Sequence, residues 1–251
     1  MYLYENKVKL INEDCFKVLP AIKKDSVDLI LVDLPYIISK DNGFDRGGAW
    51  NNSEDKRMRK KPPKTDFGQW DKQPLDLRSL IKEFKRILKP SGTLIMFYDI
   101  FKMQELKEIA DEFNFKQPRM CVWQKTNPVP LNSGLNYLSN SREYFISFVK
   151  KSKPTFNSSY DNGLYTFPIC SGKERLDHPC QKPLSLIREL ILKHSNKGDL
   201  VLDCFMGTNS VGEACFLEDR CFIGVDNDTH SFNIAVERAK RYIERGKNNE
   251  F

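Results

Sequence analysis

No apolar run in this chain is long enough to span a bilayer. Met1–Leu10 carries Glu5, Lys7 and Lys9 and so lacks the apolar centre of a signal peptide. The seven cysteines are scattered, with no Cys-x-x-Cys pair and no Cys/His cluster. That argues against a disulfide framework and against a zinc or other metal site. Most are expected as buried thiols in a cytoplasmic protein. Gly-x-Gly-x-x-Gly is nowhere complete, and Gly-x-x-x-x-Gly-Lys-Ser/Thr is absent, which excludes a P-loop ATPase. No internal repeat is present.

What is there suffices for one large domain over residues 1–251. The chain is 40% apolar, enough to bury a sizeable core. Its net charge of +6, from 40 basic and 34 acidic side chains, suits a polyanionic partner but is weak evidence alone. One run is more pointed. Lys56, Arg57, Arg59, Lys60, Lys61 and Lys64 follow one another with no acid between them. An isolated charge run reads first as a solvated loop. Its position shortly after Tyr36 makes it a candidate for phosphate contact.

Lys7–Ile11 is predicted as a strand and Phe16–Ile22 as a short helix. Leu29–Val32 has the length and branching of a buried parallel strand. It stops at Asp33, because Pro35 cannot continue a central strand. Residues 37–70 are rich in Gly and Asn and lack periodicity, and are expected as a mobile basic loop that closes over its partner. Leu75–Leu88 is an amphipathic helix stopped by Lys89-Pro90-Ser91-Gly92, before a strand at Thr93–Tyr98. A helix at Phe101–Phe113 follows, then strands at Arg119–Gln124 and Tyr144–Lys150 forming an antiparallel edge. Thr126–Ser141 is rich in Asn and Pro and reads as a loop, and across Ser152–Asp177 polar residues such as Asn157 interleave with aromatics such as Tyr165, which suits either nucleic-acid contact or an ordinary surface loop.

Helix Leu184–His194, strand Leu200–Asp203, helix Val211–Leu217, strand Cys221–Val225 and helix Thr229–Arg245 complete the chain. Strands alternating with helices imply an α/β fold with a mostly parallel sheet. In such sheets ligands bind outside the carboxyl ends of the strands, where Asp33, Asp203 and Asp226 fall. Strand, acid, glycine-containing turn, helix, strand, acid is the grammar of a nucleotide-binding unit. In it Gly207 lets the backbone approach a ligand, and Asp226 can accept from ribose hydroxyls.

Asp33-Leu34-Pro35-Tyr36 resembles the catalytic tetrapeptide of the DNA amino-methyltransferases, usually Asp-Pro-Pro-Tyr, with Leu34 in place of a proline. Asp203-Cys204-Phe205-Met206-Gly207-Thr208-Asn209 resembles their Asp-x-Phe-x-Gly-x-Gly cofactor motif, with Asn209 at the last glycine. His178-Pro179-Cys180-Gln181-Lys182-Pro183 is similar to their His-Pro-x-Gln-Lys-Pro segment. The tetrapeptide precedes the cofactor turn, the order of the β group. The resemblance covers most of the chain, from about Ile11 to Arg238, and is weak over 38–65 and 152–176.

The resemblance implies a Rossmann-like, S-adenosylmethionine-dependent methyltransferase fold with circularly permuted motif order. It assigns catalysis to Asp33, Leu34, Pro35 and Tyr36. It assigns the cofactor to Asp14, Cys15, Asp33, Lys182, Asp203, Phe205, Gly207, Asn209, Ser210, Asp226 and Asn227. Of these, Asp14 would meet the adenine edge, with Glu13 where a glycine is usual, and Lys182 would lie near the methionine carboxylate. It makes 126–177 the target-recognition region. Its partners would be duplex DNA, a second copy of the chain and a cognate restriction endonuclease, in a bacterial or phage setting.

An exocyclic amine is a poor nucleophile, because its lone pair is delocalised into the ring. Asp33 can accept from one N–H and the Leu34 carbonyl from the other, which aims the nitrogen and favours its developing charge. The base has to leave the duplex to be reached, and Tyr36 then stacks on it. Asp in the first position favours adenine N6 in the family, and Ser is commoner for cytosine N4. The alternatives are a cytosine-N4 enzyme and, given the departures at Glu13, Leu34 and Asn209, a catalytically impaired DNA-binding relative. A protein-glutamine or RNA methyltransferase would have its cofactor turn first.

Overall fold

The computed structural model describes residues 1–36, 75–128, 140–151, 153–176 and 180–248. The basic run from Lys56 to Lys64 and the 37–70 loop lie outside the described residues. The strands are β1 (Tyr2–Tyr4), β2 (Val8–Asn12), β3 (Val27–Asp33), β4 (Leu88–Phe97), β5 (Lys116–Lys125), β6 (Arg142–Val149), β7 (Leu164–Phe167), β8 (Leu200–Asp203) and β9 (Cys221–Asp226). The helices are α1 (Cys15–Val18), α2 (Leu77–Ile87), α3 (Met103–Glu112), α4 (Leu184–His194), α5 (Ser210–Leu217) and α6 (Thr229–Lys247). Among the described residues the strands form one sheet in the order β1-β2-β9-β8-β3-β4-β6-β5-β7. From β2 to β4 every pairing is parallel, while β6 is antiparallel to both β4 and β5.

Side-chain alternation sorts β3 onto two cores. Leu29 and Leu31 face the layer of α4, α5 and α6, against Ile187, Leu190, Val211 and Ala235. Ile30 and Val32 face the layer of α2 and α3, against Ile81, Phe84 and Leu106. A strand buried on both faces has no polar alternation, which is why it reads as a plain apolar run. Two long helices start on side-chain caps. Asp76 accepts from Ser79 N at 3.0 Å, and Asp228 from Ser231 N at 2.8 Å.

Three features depart from the sequence reading. First, α2 runs straight into β4 at Leu88, although Pro90-Ser91-Gly92 reads as a stop. Leu88 pairs with Val27 and Thr93 with Leu29, so residues 89–92 bulge opposite Asp28. A Cβ on Gly92 would lie 2.6 Å from Leu88 Cγ and 2.9 Å from the Asp28 carbonyl, so glycine is what lets the bulge close.

Second, the described part of 126–177 adds β7 to the sheet beside the expected strand β6. β6 lies between β4 and β5, and β7 closes the far edge on β5. Third, two of its polar and aromatic candidates are structural. Asn157 donates to the Leu192 and Ser195 carbonyls at 2.9 Å each, covering the end of α4. Tyr165 is buried, and its hydroxyl donates to Asp161 at 2.8 Å.

The layers set a stability contrast. Phe84→Ala, inside the α2 layer, is expected to cost about 3–5 kcal/mol in urea unfolding. Phe101→Ala removes a ring that is 93% exposed and is expected to change stability by less than about 0.5 kcal/mol. Equal costs would contradict the assignment of the two faces.

Candidate active site

Parallel strands end together, so β2, β9, β8, β3 and β4 bring Asn12, Asp226, Asp203, Asp33 and Phe97 to one rim of the sheet. Beyond Asp33 the chain stays on the sheet for one more step: Leu34 N donates to the Phe97 carbonyl at 3.1 Å. Leu34 and Pro35 are buried. A proline at 34 would have no N–H for that bond. Tyr36 packs edge-on against Tyr98, with ring centroids 6.1 Å apart at 87°. Lys102 Nζ donates to the Tyr36 carbonyl at 2.9 Å and fixes the turn from the β4 side.

Lys182, on the segment entering α4, is buried and reaches into this corner. Its ammonium pairs with Asp33 Oδ2 and with Glu143 Oε2 at 3.2 Å. Glu143 also pairs with Lys125 at 2.7 Å. The Lys182 ammonium lies 5.2 Å from the Phe97 ring centroid and 5.8 Å from that of Tyr36. The Asp33 side chain keeps 27% of its exposure and lines the crevice. Among the described residues neither its buried Oδ1 nor the Tyr36 hydroxyl makes a hydrogen bond of good geometry, although that hydroxyl lies near enough to pull the Asp33 carboxyl down.

The electrostatics follow from burial and pairing. Burial and the nearby Glu143 push the Asp33 carboxyl up, against the pull of Lys182. Burial also acts to raise Glu143, but Lys182 and Lys125 outweigh it and hold it low. Burial opposes the Lys182 charge, yet Asp33 and Glu143 hold that ammonium well above the usual lysine range. Glu143 and Lys125 were not singled out from sequence. Only the register that sets Glu143 opposite Trp123 brings them to the site.

The other half of the rim is a tight turn. Asp203 accepts from Phe205 N at 3.0 Å, and burial holds its carboxyl well above the usual range. Gly207 takes a left-handed φ of 47°, and its N–H donates to Asp226 Oδ2 at 2.8 Å. Asp226 Oδ1 accepts from Asp228 N at 2.9 Å. Burial pushes the Asp226 carboxyl up to about 6. Ser210 Oγ donates to the Lys182 carbonyl at 3.0 Å, tying the turn to the Asp33–Lys182 corner. Arg238 from α6 donates to the Thr208 carbonyl at 3.2 Å and to Ser210 Oγ at 3.0 Å. Asp33, Phe97, Lys182, Phe205, Gly207 and Ser210 line a crevice of about 50 Å³. Among the described residues no group of three metal-ligating side chains forms a site.

Residues 27–237 match the family described as DNA methylase, of the N6 and N4 type. The chain belongs to this family. The Type II methyltransferase M.HinfI of Haemophilus influenzae is 29% identical over 251 residues, 92% of this chain and 68% of that protein. M2.DpnII of Streptococcus pneumoniae is 29% identical over 259 residues, 94% of this chain and 91% of that one. Among solved structures, the M1.HpyAVI–SAM complex superposes with a TM-score of 0.69 at 24% identity, covering 92% of this chain and 98% of that one. The PvuII cytosine-N4-specific DNA methyltransferase gives 0.70 at 15% identity, covering 95% and 92%. These structures share the methyltransferase fold.

The sequence candidates of this DNA methylase divide by place. Asp33, Tyr36, Lys182, Asp203, Phe205, Gly207, Ser210 and Asp226 meet around the crevice. Asp14 is half-buried and Asn227 exposed, neither lining the crevice, and the Asp14 carboxylate caps α1 by accepting from Phe16 N at 2.9 Å. Cys15 turns inward, into the layer that holds Cys204. Asn209 is fully buried, and its amide donates to Tyr242 Oη at 3.3 Å and the Ala235 carbonyl at 3.4 Å. Its side chain therefore braces α6, and only its backbone belongs to the turn. Its φ of 65° explains the residue type, since asparagine tolerates the left-handed region that glycine otherwise serves. The Lys182 ammonium, expected near a methionine carboxylate, is held here by two protein carboxylates.

Two outcomes follow from this geometry. Asn209→Ala should destabilise the fold by about 1–3 kcal/mol, from the lost amide bonds and the strained φ. Asn209→Gly should cost less than Asn209→Ala, and the reverse order in urea unfolding would contradict the backbone assignment. Asp226 should titrate at about 6 by carboxyl-carbon NMR. A folded value above the unfolded one, about 3.9, means that this group's stabilising contribution is present in acid and is lost as pH rises through the folded value. A midpoint at the ordinary carboxylate value would contradict the burial described.

Proposed function

We propose that the chain is a site-specific DNA methyltransferase that moves a methyl group from S-adenosylmethionine to the N6 amine of an adenine flipped from duplex DNA. The observation that carries this reading is Asp33 Oδ1, a buried acceptor without a well-formed hydrogen bond among the described residues, at a strand end beside the Tyr36 ring. A buried unpaired acceptor costs stability, so a fold that keeps one is prepared for a donor from outside. An exocyclic amine is such a donor.

The residues fit S-adenosylmethionine where the turn from β8 to α5 meets the end of β9. Asp226 has its oxygens aimed by Gly207 N and Asp228 N and keeps lone pairs for ribose hydroxyls. The positive φ of Gly207 leaves the turn open to close approach. Bound S-adenosylmethionine would supply an electrophilic methyl group, whose transfer forms an N–C bond, breaks a C–S bond and leaves a neutral thioether. Asp33 Oδ1 accepts one amine N–H, and the Leu34 carbonyl accepts the other. This aims the lone pair and favours the charge that develops on nitrogen. The methylated amine is acidic and sheds one proton, through Asp33, to water. Tyr36 offers the stacking face for the flipped base.

The adenine choice rests on Asp33 in the first position of the tetrapeptide. The Type II relatives support a restriction-modification setting in a bacterial or phage cytoplasm, with a cognate endonuclease or a second copy as further partners. No helix among the described residues is long and apolar enough to cross a membrane. The basic side chains Lys56, Arg57, Arg59, Lys60, Lys61 and Lys64 are proposed to contact phosphates.

Methyl transfer from labelled S-adenosylmethionine to mixed-sequence duplex DNA, followed by separation of nucleosides, should yield N6-methyladenine. N4-methylcytosine would change the substrate, and no label would overturn the reading. Asp33→Asn should lower kcat by about 100-fold or more while cofactor affinity by calorimetry stays within about threefold. A variant with near-normal kcat would remove Asp33 from the chemistry. Neutralising the basic run should weaken DNA binding at low salt and flatten its salt dependence. Unchanged DNA affinity would return that run to a solvated loop.

A further inference from the structure

The crevice encloses about 50 Å³, room for roughly one or two waters. The Lys182 ammonium stands within it, on Asp33 and in front of the Phe97 and Tyr36 rings. A flipped base needs that space. A cation fixed on Asp33 would also oppose the positive charge that grows on the amine during transfer. A second anion is already within reach of the same ammonium: Glu143 on β6, at 3.2 Å and anchored from behind by Lys125 at 2.7 Å. Neither Glu143 nor Lys125 has a part in the reaction described above.

We propose that Glu143 is a positioning residue that draws Lys182 off Asp33, so that Asp33 can receive the target amine. The inference rests on the reading of Asp33 as the amine acceptor. Lys182 is shared by two carboxylates in the free protein and passes toward Glu143 as the base enters. It stays paired throughout, which matters because an unpaired buried ammonium is strongly destabilising. Lys125 sets the balance. By holding part of the Glu143 charge, it keeps Glu143 from capturing Lys182 outright before DNA arrives.

Several charged and titratable groups act on this corner. Lys182 and Cys180 come from the segment before α4, Glu143 from β6, Lys125 from β5, Asp203 from β8, and Tyr36 from the turn after Asp33 itself. Glu143 raises the Asp33 carboxyl and Lys182 lowers it. In Glu143→Gln, Lys182 is left to Asp33 alone. The Asp33 value should then fall, and the acid limb of kcat should move to lower pH. The plateau kcat should drop about tenfold, equivalent to about 1.4 kcal/mol in the barrier, with KM for DNA and cofactor within about twofold. Glu143→Asp restores the charge and should recover the wild-type limb. Lys125→Met should do the opposite: Glu143 takes more of Lys182, and the Asp33 value rises.

The test is carboxyl-carbon NMR titration of Asp33 in the free proteins, with Asp33→Asn identifying the resonance, alongside kcat–pH profiles. Opposite displacements in Glu143→Gln and Lys125→Met, with a lowered kcat and steady KM in Glu143→Gln, are expected. Should Glu143→Gln fail to fold, the Lys125→Met displacement decides. An Asp33 midpoint that neither variant moves, or a limb that Glu143→Asp does not restore, overturns the proposal. Wild-type protein that transfers no methyl while Asp33 still responds as described would overturn the reading of the reaction and leave the charge relation standing.

Discussion

One buried ammonium shared by two carboxylates holds this site together. Lys182 joins three pieces of chain that are far apart in sequence: the end of β3, the start of β6 and the entry to α4. Burying any one of these charges alone would cost several kcal/mol. Together with Lys125 they make two cations and two anions, so the cluster is neutral and each member holds another in place. The carbonyl of the same lysine accepts from Ser210 Oγ, which Arg238 in turn contacts. The Asp33–Lys182 corner and the Gly207 turn are thus parts of one connected network.

The sheet makes this meeting of distant residues inevitable. β8 and β3 are neighbours although most of the chain separates them, so the acids that end each strand face one crevice. Asp33, Asp203 and Asp226 share one rim, and burial raises all three carboxyls. They differ in what satisfies them. Asp203 accepts from a backbone N–H of its own turn, and Asp226 from its own turn and from Gly207 in the turn after Asp203. Asp33 has one oxygen on Lys182 and the other without a well-formed hydrogen bond among the described residues. That asymmetry separates an acid that shapes a binding turn from one left open for a reacting amine.

Much of this was legible in the chain. Leu184–His194 and Leu200–Asp203 fall where periodicity and apolar length place them, because a helix face and a doubly buried strand leave strong local patterns. The strand-end acids were readable for the same reason. β1 and β7 were missed, being edge strands of three and four residues with partly exposed faces. The Pro90–Gly92 bulge misled because turn chemistry there serves a strand that resumes. Glu143 escaped because nothing in Arg142-Glu143-Tyr144 announces a site, and cross-strand register alone brings it to Lys182. Asn209 looked like a defect in a glycine motif. Its left-handed φ shows the backbone shape kept by another residue that tolerates it.

The chain belongs to the N6 and N4 DNA methylases, and the central claim is narrower than that membership: Asp33 Oδ1 is the acceptor that meets the target amine. A crystal structure of the protein with a non-reactive S-adenosylmethionine analogue and duplex DNA containing its site tests this most directly. The account predicts a base extruded over Tyr36, its exocyclic nitrogen about 2.7–3.2 Å from Asp33 Oδ1, and Lys182 closer to Glu143 than to Asp33. A base whose amine meets another group, with Lys182 still seated on Asp33, would contradict it.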